Sequence, residues 1–271
     1  MPRTSGLVRE TWYGSFALDE DSAGLWTVGP FTLWALRAAS EWRLATRRES
    51  EASNEISAVE IPAPGEDPAA NSELNRYGFS TSPAEISLLP LLGDRPVVFS
   101  AESPLLLPSQ EEMTLYVSTP AWIEVTLGDP PVTVMEQPLQ RPTDTWFGPS
   151  TMRGELCYAV RTSARLRLER LPVRPHRVFS MVHIVNRAET HLSFARVKIP
   201  VPQMSVYGTA DGRLWTEKVT LERDQNEGGA TVHLGSGPPP QAADATLIHG
   251  PRTVGERGLL TSAFSGLIPW R

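Results

Sequence analysis

The chain has 271 residues, a formal net charge of −6, 25 prolines and 20 glycines. An apolar share of 40 % beside 21 % charged residues is that of a globular protein, long enough for one large β domain or two smaller ones. The lone cysteine, Cys157, excludes a disulfide framework or a cysteine zinc site within one chain, and no run of about 18 apolar residues is present to span a membrane.

A single thiol suits a reducing compartment, and the first residues, MPRTSGLVRETWYG, lack the apolar core of a secretory leader, so a cytoplasmic location is expected. Charge is uneven. Residues 1–140 hold 20 acidic and 8 basic side chains, and residues 141–271 hold 11 and 17. Such a split fits an anionic partner for the second half, two oppositely charged parts that face each other, or an acidic loop that inflates the first figure. Frequent Pro and Gly between short apolar runs point to an all-β protein.

Trp12–Leu18 reads as a first strand, and Leu25–Val28 and Phe31–Leu36 as two more around Gly29–Pro30. The following TLWALRAASEWRLATRRESEA has helix-forming composition, but its alternation through Trp42 and Leu44 favours a hairpin. Glu49–Asn75 carries Pro62, Pro64, Gly65, Pro68 and seven carboxylates with few large apolar side chains, and reads as a mobile, solvated acidic loop. Order resumes near Tyr77. Pro96–Ser100, Met113–Ser118 and Ile123–Leu127 are strand-like, and Pro104 and Pro108 frame a short edge segment, Leu105–Leu107. Gly128–Pro131 is the preferred boundary, dividing an N-terminal β region (1–130) from a C-terminal immunoglobulin-like region (131–271).

In the second part, Glu155–Arg161 and Ala164–Leu171 read as a hairpin around Thr162–Ser163. Alternation in ARLRLERL places Leu166 and Leu168 inward and Arg165, Arg167 and Glu169 outward. Val178–Val185 and Leu192–Val201 flank Asn186–Thr190, a pattern common in immunoglobulin-like sandwiches. Met204–Tyr207 and Leu214–Leu221 flank the turn Ala210–Asp211–Gly212, and Thr231–Leu234 is a last short strand before the Gly/Pro stretch Gly235–Pro240. The expected architecture is an antiparallel β-sandwich, as one body or two packed lobes, with one disordered acidic insertion.

No catalytic signature is present: neither a GxSxG elbow, nor a P-loop, nor GxGxxG. His183 and His191 flank one turn without a third ligand at diagnostic spacing, so no metal or cofactor is expected. Cys157, between Leu156 and Tyr158, reads as a buried and inert thiol. Arg161, Arg165, Arg167, Arg170, Arg174 and Arg177 form a basic run, but no aromatics interleave with it as a stacking platform requires, and no nucleic-acid partner is expected. Of the eight tryptophans, Trp146, on a turn, is the one expected to be partly exposed.

The richest stretch is Thr143–Tyr158, TDTWFGPSTMRGELCY. It brackets a Gly148–Pro149 turn with Asp144, Trp146 and Phe147 on one side and Arg153 and Glu155 on the other. These five are the candidate binding residues. Aromatics beside Arg and Asp suit a protein hot spot or a sugar platform, and Asp144 with Glu155 offers an acid–base pair for a sugar.

The runs WYGSF (12–16), SPLLLP (103–108), LYVSTP (115–120), DTWFGPST (144–151), GELCYA (154–159), IPVP (199–202), SVYG (205–208) and LWTEKV (214–219) resemble those of a prokaryotic family known as domain of unknown function 432. The resemblance implies a prokaryotic, non-secreted protein, and it carries no catalytic residue. Two functions are compatible with these readings. One is a non-enzymatic cytoplasmic module that binds a protein partner or itself through Trp146, Phe147 and Arg153. The other is a small-molecule or carbohydrate site on the same turn, with a hydrolytic form that uses Asp144 and Glu155.

Overall fold

Strands follow one another with almost no helix in a computed structural model that describes residues 11–49, 57–61, 73–150, 152–160, 164–223, 230–254, 260–261 and 263–265. The first strands are β1 (Gly14–Ala17), β2 (Ser22–Val28), β3 (Phe31–Ala38), β4 (Glu41–Arg48), β5 (Ser57–Glu60), β6 (Glu73–Gly78) and β7 (Glu85–Leu91). Then come β8 (Val97–Leu107), β9 (Glu112–Pro120), β10 (Trp122–Leu127), β11 (Val132–Pro138), β12 (Thr143–Ser150) and β13 (Arg153–Ala159). The rest are β14 (Arg177–Asn186), β15 (Leu192–Ile199), β16 (Val206–Gly208), β17 (Leu214–Trp215), β18 (Val219–Arg223), β19 (Ala230–Leu234), β20 (Thr246–His249), β21 (Leu260–Thr261) and β22 (Phe264–Ser265). The fold is all-β, and among the described residues no helix is long and apolar enough to cross a membrane.

The chain divides into two compact units, each assembled from separated stretches. The first comprises Met1–Leu91, Ala121–Arg141 and Arg174–His176, and the second the remainder. The expected division after residue 130 falls inside the first unit, in the turn that joins β10 to β11.

The first unit holds two antiparallel sheets, ordered β1-β7-β10-β11 and β5-β2-β3-β4-β6. Alternation decides which residues turn inward: along β3, Phe31, Leu33 and Ala35 are buried and their neighbours less so. Side chains of the two sheets meet where Phe16 of β1 packs edge-on against Trp26 of β2, ring centroids 5.3 Å apart. The expected hairpin through Trp42 and Leu44 forms, with Ala38 opposite Glu41, and Trp42 and Leu44 are buried. Within the stretch read as a mobile acidic loop, Ser57–Glu60 is instead a strand on the edge of β2, with Val59 buried. One buried valine and a ladder of backbone hydrogen bonds outweigh the acidic composition there. The rest of that loop, 50–56 and 62–72, lies outside the described residues.

The second unit holds a five-stranded sheet, β12-β13-β8-β15-β22, and an eight-stranded sheet built around β14. β14 is buried almost throughout. It pairs antiparallel with β9 on one side and parallel with β17 and then β18 on the other. The expected strands on either side of Asn186–Thr190 are present, but β14 and β15 enter different sheets, so they form no hairpin and His183 does not face His191. Asn186 fixes that corner. Its buried amide donates to the carbonyls of Leu107 (3.2 Å), Pro108 (2.8 Å) and Thr190 (2.9 Å).

Two further expectations are corrected. Ala164–Leu171 is no strand: Ala164 and Arg165 make single bridges to Ala101 and Tyr116, Leu168–Arg170 is a 3₁₀ turn, and Leu166 is 61 % exposed rather than inward. The bridges to β8 and β9 stay single and no ladder continues from them among the described residues, so alternation alone does not hold the segment extended. Leu105–Leu107 is also not a separate edge segment. It continues β8 past Pro104, which sits where the register with β15 slips between Phe194 and Arg196.

Candidate functional site

β12 and β13 pair with Asp144 opposite Tyr158, Thr145 opposite Cys157, Trp146 opposite Leu156 and Phe147 opposite Glu155. Residues directly opposite share a face. Asp144, Trp146, Leu156 and Tyr158 therefore lie on one face of the hairpin, and Thr145, Phe147, Glu155 and Cys157 on the other.

The chain reverses between Ser150 and Arg153, and the expected Gly148–Pro149 turn is part of β12. Ser150 makes the reversal: its hydroxyl accepts from the backbone N–H of Met152 (3.3 Å) and of Arg153 (3.1 Å). Gly148 serves close approach instead. A Cβ on it would stand 2.2 Å from the carbonyl oxygen of Arg153 and 2.4 Å from the Cα of Gly154. The register slips here, between Phe147 and Ser150.

The inner face packs. Phe147 is 2 % exposed and clusters with Val98 and Cys157. Arg196 and Lys198 of β15 both flank its ring, each cation 5.6 Å from the centroid. Arg196 also donates to the hydroxyl of Thr145 (2.8 Å) and the carbonyl of Trp146 (3.2 Å). In sheet order β15 stands three strands from β12, about 14 Å if the sheet were flat, further than one arginine side chain extends. The sheet must therefore curl, and Arg196 occupies the edge of β12 at that carbonyl. Glu155 pairs with the shielded ammonium of Lys198. Burial first, and then the Glu155 carboxylate, push the Cys157 thiol up to about 11, which makes it unreactive at neutral pH.

The outer face is open. Trp146 is 41 % exposed, Leu156 beside it 43 %, and Met152 at the tip 91 %. The indole N–H is already used, donating to the carbonyl of Ser150 at 2.8 Å, so the ring offers solvent an apolar surface. A polar rim adjoins it. Arg95 pairs with Asp144 at 3.2 Å and lies 5.2 Å over the Tyr158 ring, whose hydroxyl donates to Asp94 at 2.7 Å. Burial and then that acceptor raise the Tyr158 phenol to about 12.

Of the five candidate residues, Trp146 and Asp144 share the outer face, Phe147 and Glu155 share the inner one, and Arg153 is exposed beside the turn. The two carboxylates thus point to opposite sides, each in its own ion pair. Sequence reasoning missed Leu156, Met152, Arg95, Arg196 and Lys198. For Leu156 the signal was present, because pairing it with Trp146 needs only the true turn at Ser150. Arg95 arrives from the loop before β8, and Arg196 and Lys198 from β15, and none leaves a local mark. Among the described residues no group of three or more His, Cys, Asp or Glu is placed to hold a metal ion.

The sequence profile of a family described as protein of unknown function (DUF432) matches residues 12–269. The chain belongs to the DUF432 family. The match takes in the whole hairpin and both units of this DUF432 protein. Searches of curated proteins and of solved structures return no match.

Proposed function

We infer that this DUF432 protein is a non-enzymatic cytoplasmic interaction module and that the outer face of the β12–β13 hairpin is its docking surface. The observation that carries the reading is the cross-strand pair Trp146–Leu156. Two large apolar side chains stand side by side in solvent on the hairpin, with Met152 beyond them. An indole with its N–H already satisfied, ringed by Arg and Asp, has the composition of an interface centre with a polar rim. The occupant is a second copy of this chain. A two-fold contact uses the same patch twice, and this patch carries an apolar centre flanked by both an acid, Asp144, and a cation, Arg153. The single cysteine fits a reducing cytoplasm.

Light scattering during size-exclusion chromatography tests it. The wild type runs as a dimer, and Leu156→Asp, which puts a charge at the centre of the contact, runs as a monomer. A monomeric wild type at high concentration removes the reading.

Carbohydrate binding on the same indole is the second reading, favoured by the exposed apolar ring. Its hydrolytic form requires Asp144 and Glu155 to flank one glycosidic bond, and their placement on opposite faces speaks against that form. A sugar that raises the melting temperature of the wild type and not of Trp146→Ala supports binding alone.

A further inference from the structure

We propose that Met152 is a site of reversible oxidation by peroxides, and that its sulfoxide weakens the pairing of two copies through the outer face of the β12–β13 hairpin. The second half of the proposal rests on the reading of that face as a docking surface.

Met152 stands apart from the other described methionines. It is 91 % exposed at the reversal between β12 and β13, while Met135 and Met204 are buried and Met113 and Met181 are partly buried. The fold of the turn keeps it there. Its backbone N–H donates to the Ser150 hydroxyl at 3.3 Å, and the Trp146 indole donates to the Ser150 carbonyl at 2.8 Å. The exposure of the thioether therefore belongs to the closed hairpin.

The other oxidisable sulfur nearby is silent. Cys157 is fully buried and clusters with Val98 and Phe147. Its thiol stays protonated at neutral pH, and only a thiolate attacks peroxide at a useful rate. A thioether needs no deprotonation, and its rate follows its access to the oxidant. Its lone pair attacks one peroxide oxygen, the S–O bond forms as the O–O bond breaks, and sulfur gives up two electrons. The displaced hydroxide takes the proton from the transferred oxygen and leaves as water.

The product changes the patch. A flexible apolar side chain beside Trp146 and Leu156 becomes a polar one with a strong acceptor. Burying that acceptor in an apolar contact costs free energy unless a donor meets it. Methionine sulfoxide reductases reverse the step, so the patch would be switched rather than lost.

Hydrogen peroxide treatment of the full chain, run dilute so that Met152 is uncovered, decides it through peptide mass spectrometry and sedimentation equilibrium. Met152 should gain its oxygen at least about tenfold faster than Met113 or Met181. The oxidised wild type should keep its melting temperature and show a dimer dissociation constant raised at least about tenfold, restored by a methionine sulfoxide reductase. Met152→Leu should pair like the untreated wild type and keep that affinity through peroxide. Met152→Gln should pair as weakly as the oxidised protein without any treatment. Equal oxidation rates at the three methionines overturn the proposal. So does an oxidised wild type that pairs as strongly as the untreated one, and so does a Met152→Leu variant that loses pairing in peroxide. An untreated wild type that stays monomeric overturns the docking reading and the control of pairing with it. The mass spectrum does not depend on pairing, so it tells that failure from a failure of Met152 to be oxidised.

Discussion

The indole of Trp146 lies directly on Gly154. A Cβ added to that glycine would meet the indole Nε1 at 2.7 Å and Cε2 at 2.8 Å, and the carbonyl of Phe147 at 2.6 Å. The exposed ring is thus held in place by the absence of a side chain across the strand and by its bond to Ser150. Its orientation is a property of the folded hairpin, which limits the entropy a docking partner has to remove.

Gly154→Ala is expected to destabilise the protein by about 1–3 kcal/mol, the usual range for overpacking, and to weaken self-association as the indole is displaced. Gly148→Ala meets backbone rather than a side chain and should lose at least as much. Urea denaturation with an unchanged m-value reads both.

The two ion pairs of the hairpin should differ in weight. Asp144–Arg95 is open to solvent, and Asp144→Asn should change stability by no more than about 1 kcal/mol. Lys198 is 8 % exposed at its side chain, and Glu155→Gln leaves its ammonium facing a neutral amide, with an expected loss of about 1–3 kcal/mol. A larger effect for Asp144→Asn than for Glu155→Gln would reverse the assignment of inner and outer faces.

Cys157 carries a pH signature. Its folded thiol is raised to about 11 from 9.0, so the thiol is neutral in both states below 9.0 and contributes no pH dependence there. As pH rises from 9.0 towards 11, the unfolded thiol ionises first, the unfolded state binds fewer protons and stability falls. Cys157→Ala should lack that part of the decline. In the native protein the thiol should resist iodoacetamide at about pH 8 and react readily once unfolded in urea.

Asn186→Ala should be among the more damaging polar substitutions, at about 2–3 kcal/mol. It strips three carbonyls and the Ala188 N–H of one buried partner at the corner between the two sheets. Thermal unfolding measures it.

The all-β class was legible because short alternating runs separated by Pro and Gly leave few other solutions. The β3–β4 hairpin was legible despite its helical composition, because Trp42 and Leu44 repeat with period two. The turn at Asp211 was legible as well, where the carboxylate accepts from the Thr209 hydroxyl (2.5 Å) and the Arg213 N–H (3.2 Å). Where sequence reading failed, long-range contacts overrode local pattern. Ser57–Glu60 is ordered by β2, which lies about thirty residues earlier. Ala164–Leu171 alternates well, yet it makes only single bridges to β8 and β9 and no continuing ladder among the described residues. Within the hairpin, Gly148–Pro149 carries the familiar turn residues, yet Ser150 makes the turn, and that one displacement decides which side chains stand beside Trp146.

Sedimentation equilibrium of the wild type and of Trp146→Ala, over a micromolar concentration series, reads whether the outer face of the hairpin joins two copies of the chain. The expected result is a wild-type dimer that dissociates on dilution, and a Trp146→Ala variant with unchanged melting temperature that stays monomeric at concentrations where the wild type is paired. A wild type that is monomeric throughout, or a variant that dimerises as strongly, would contradict it.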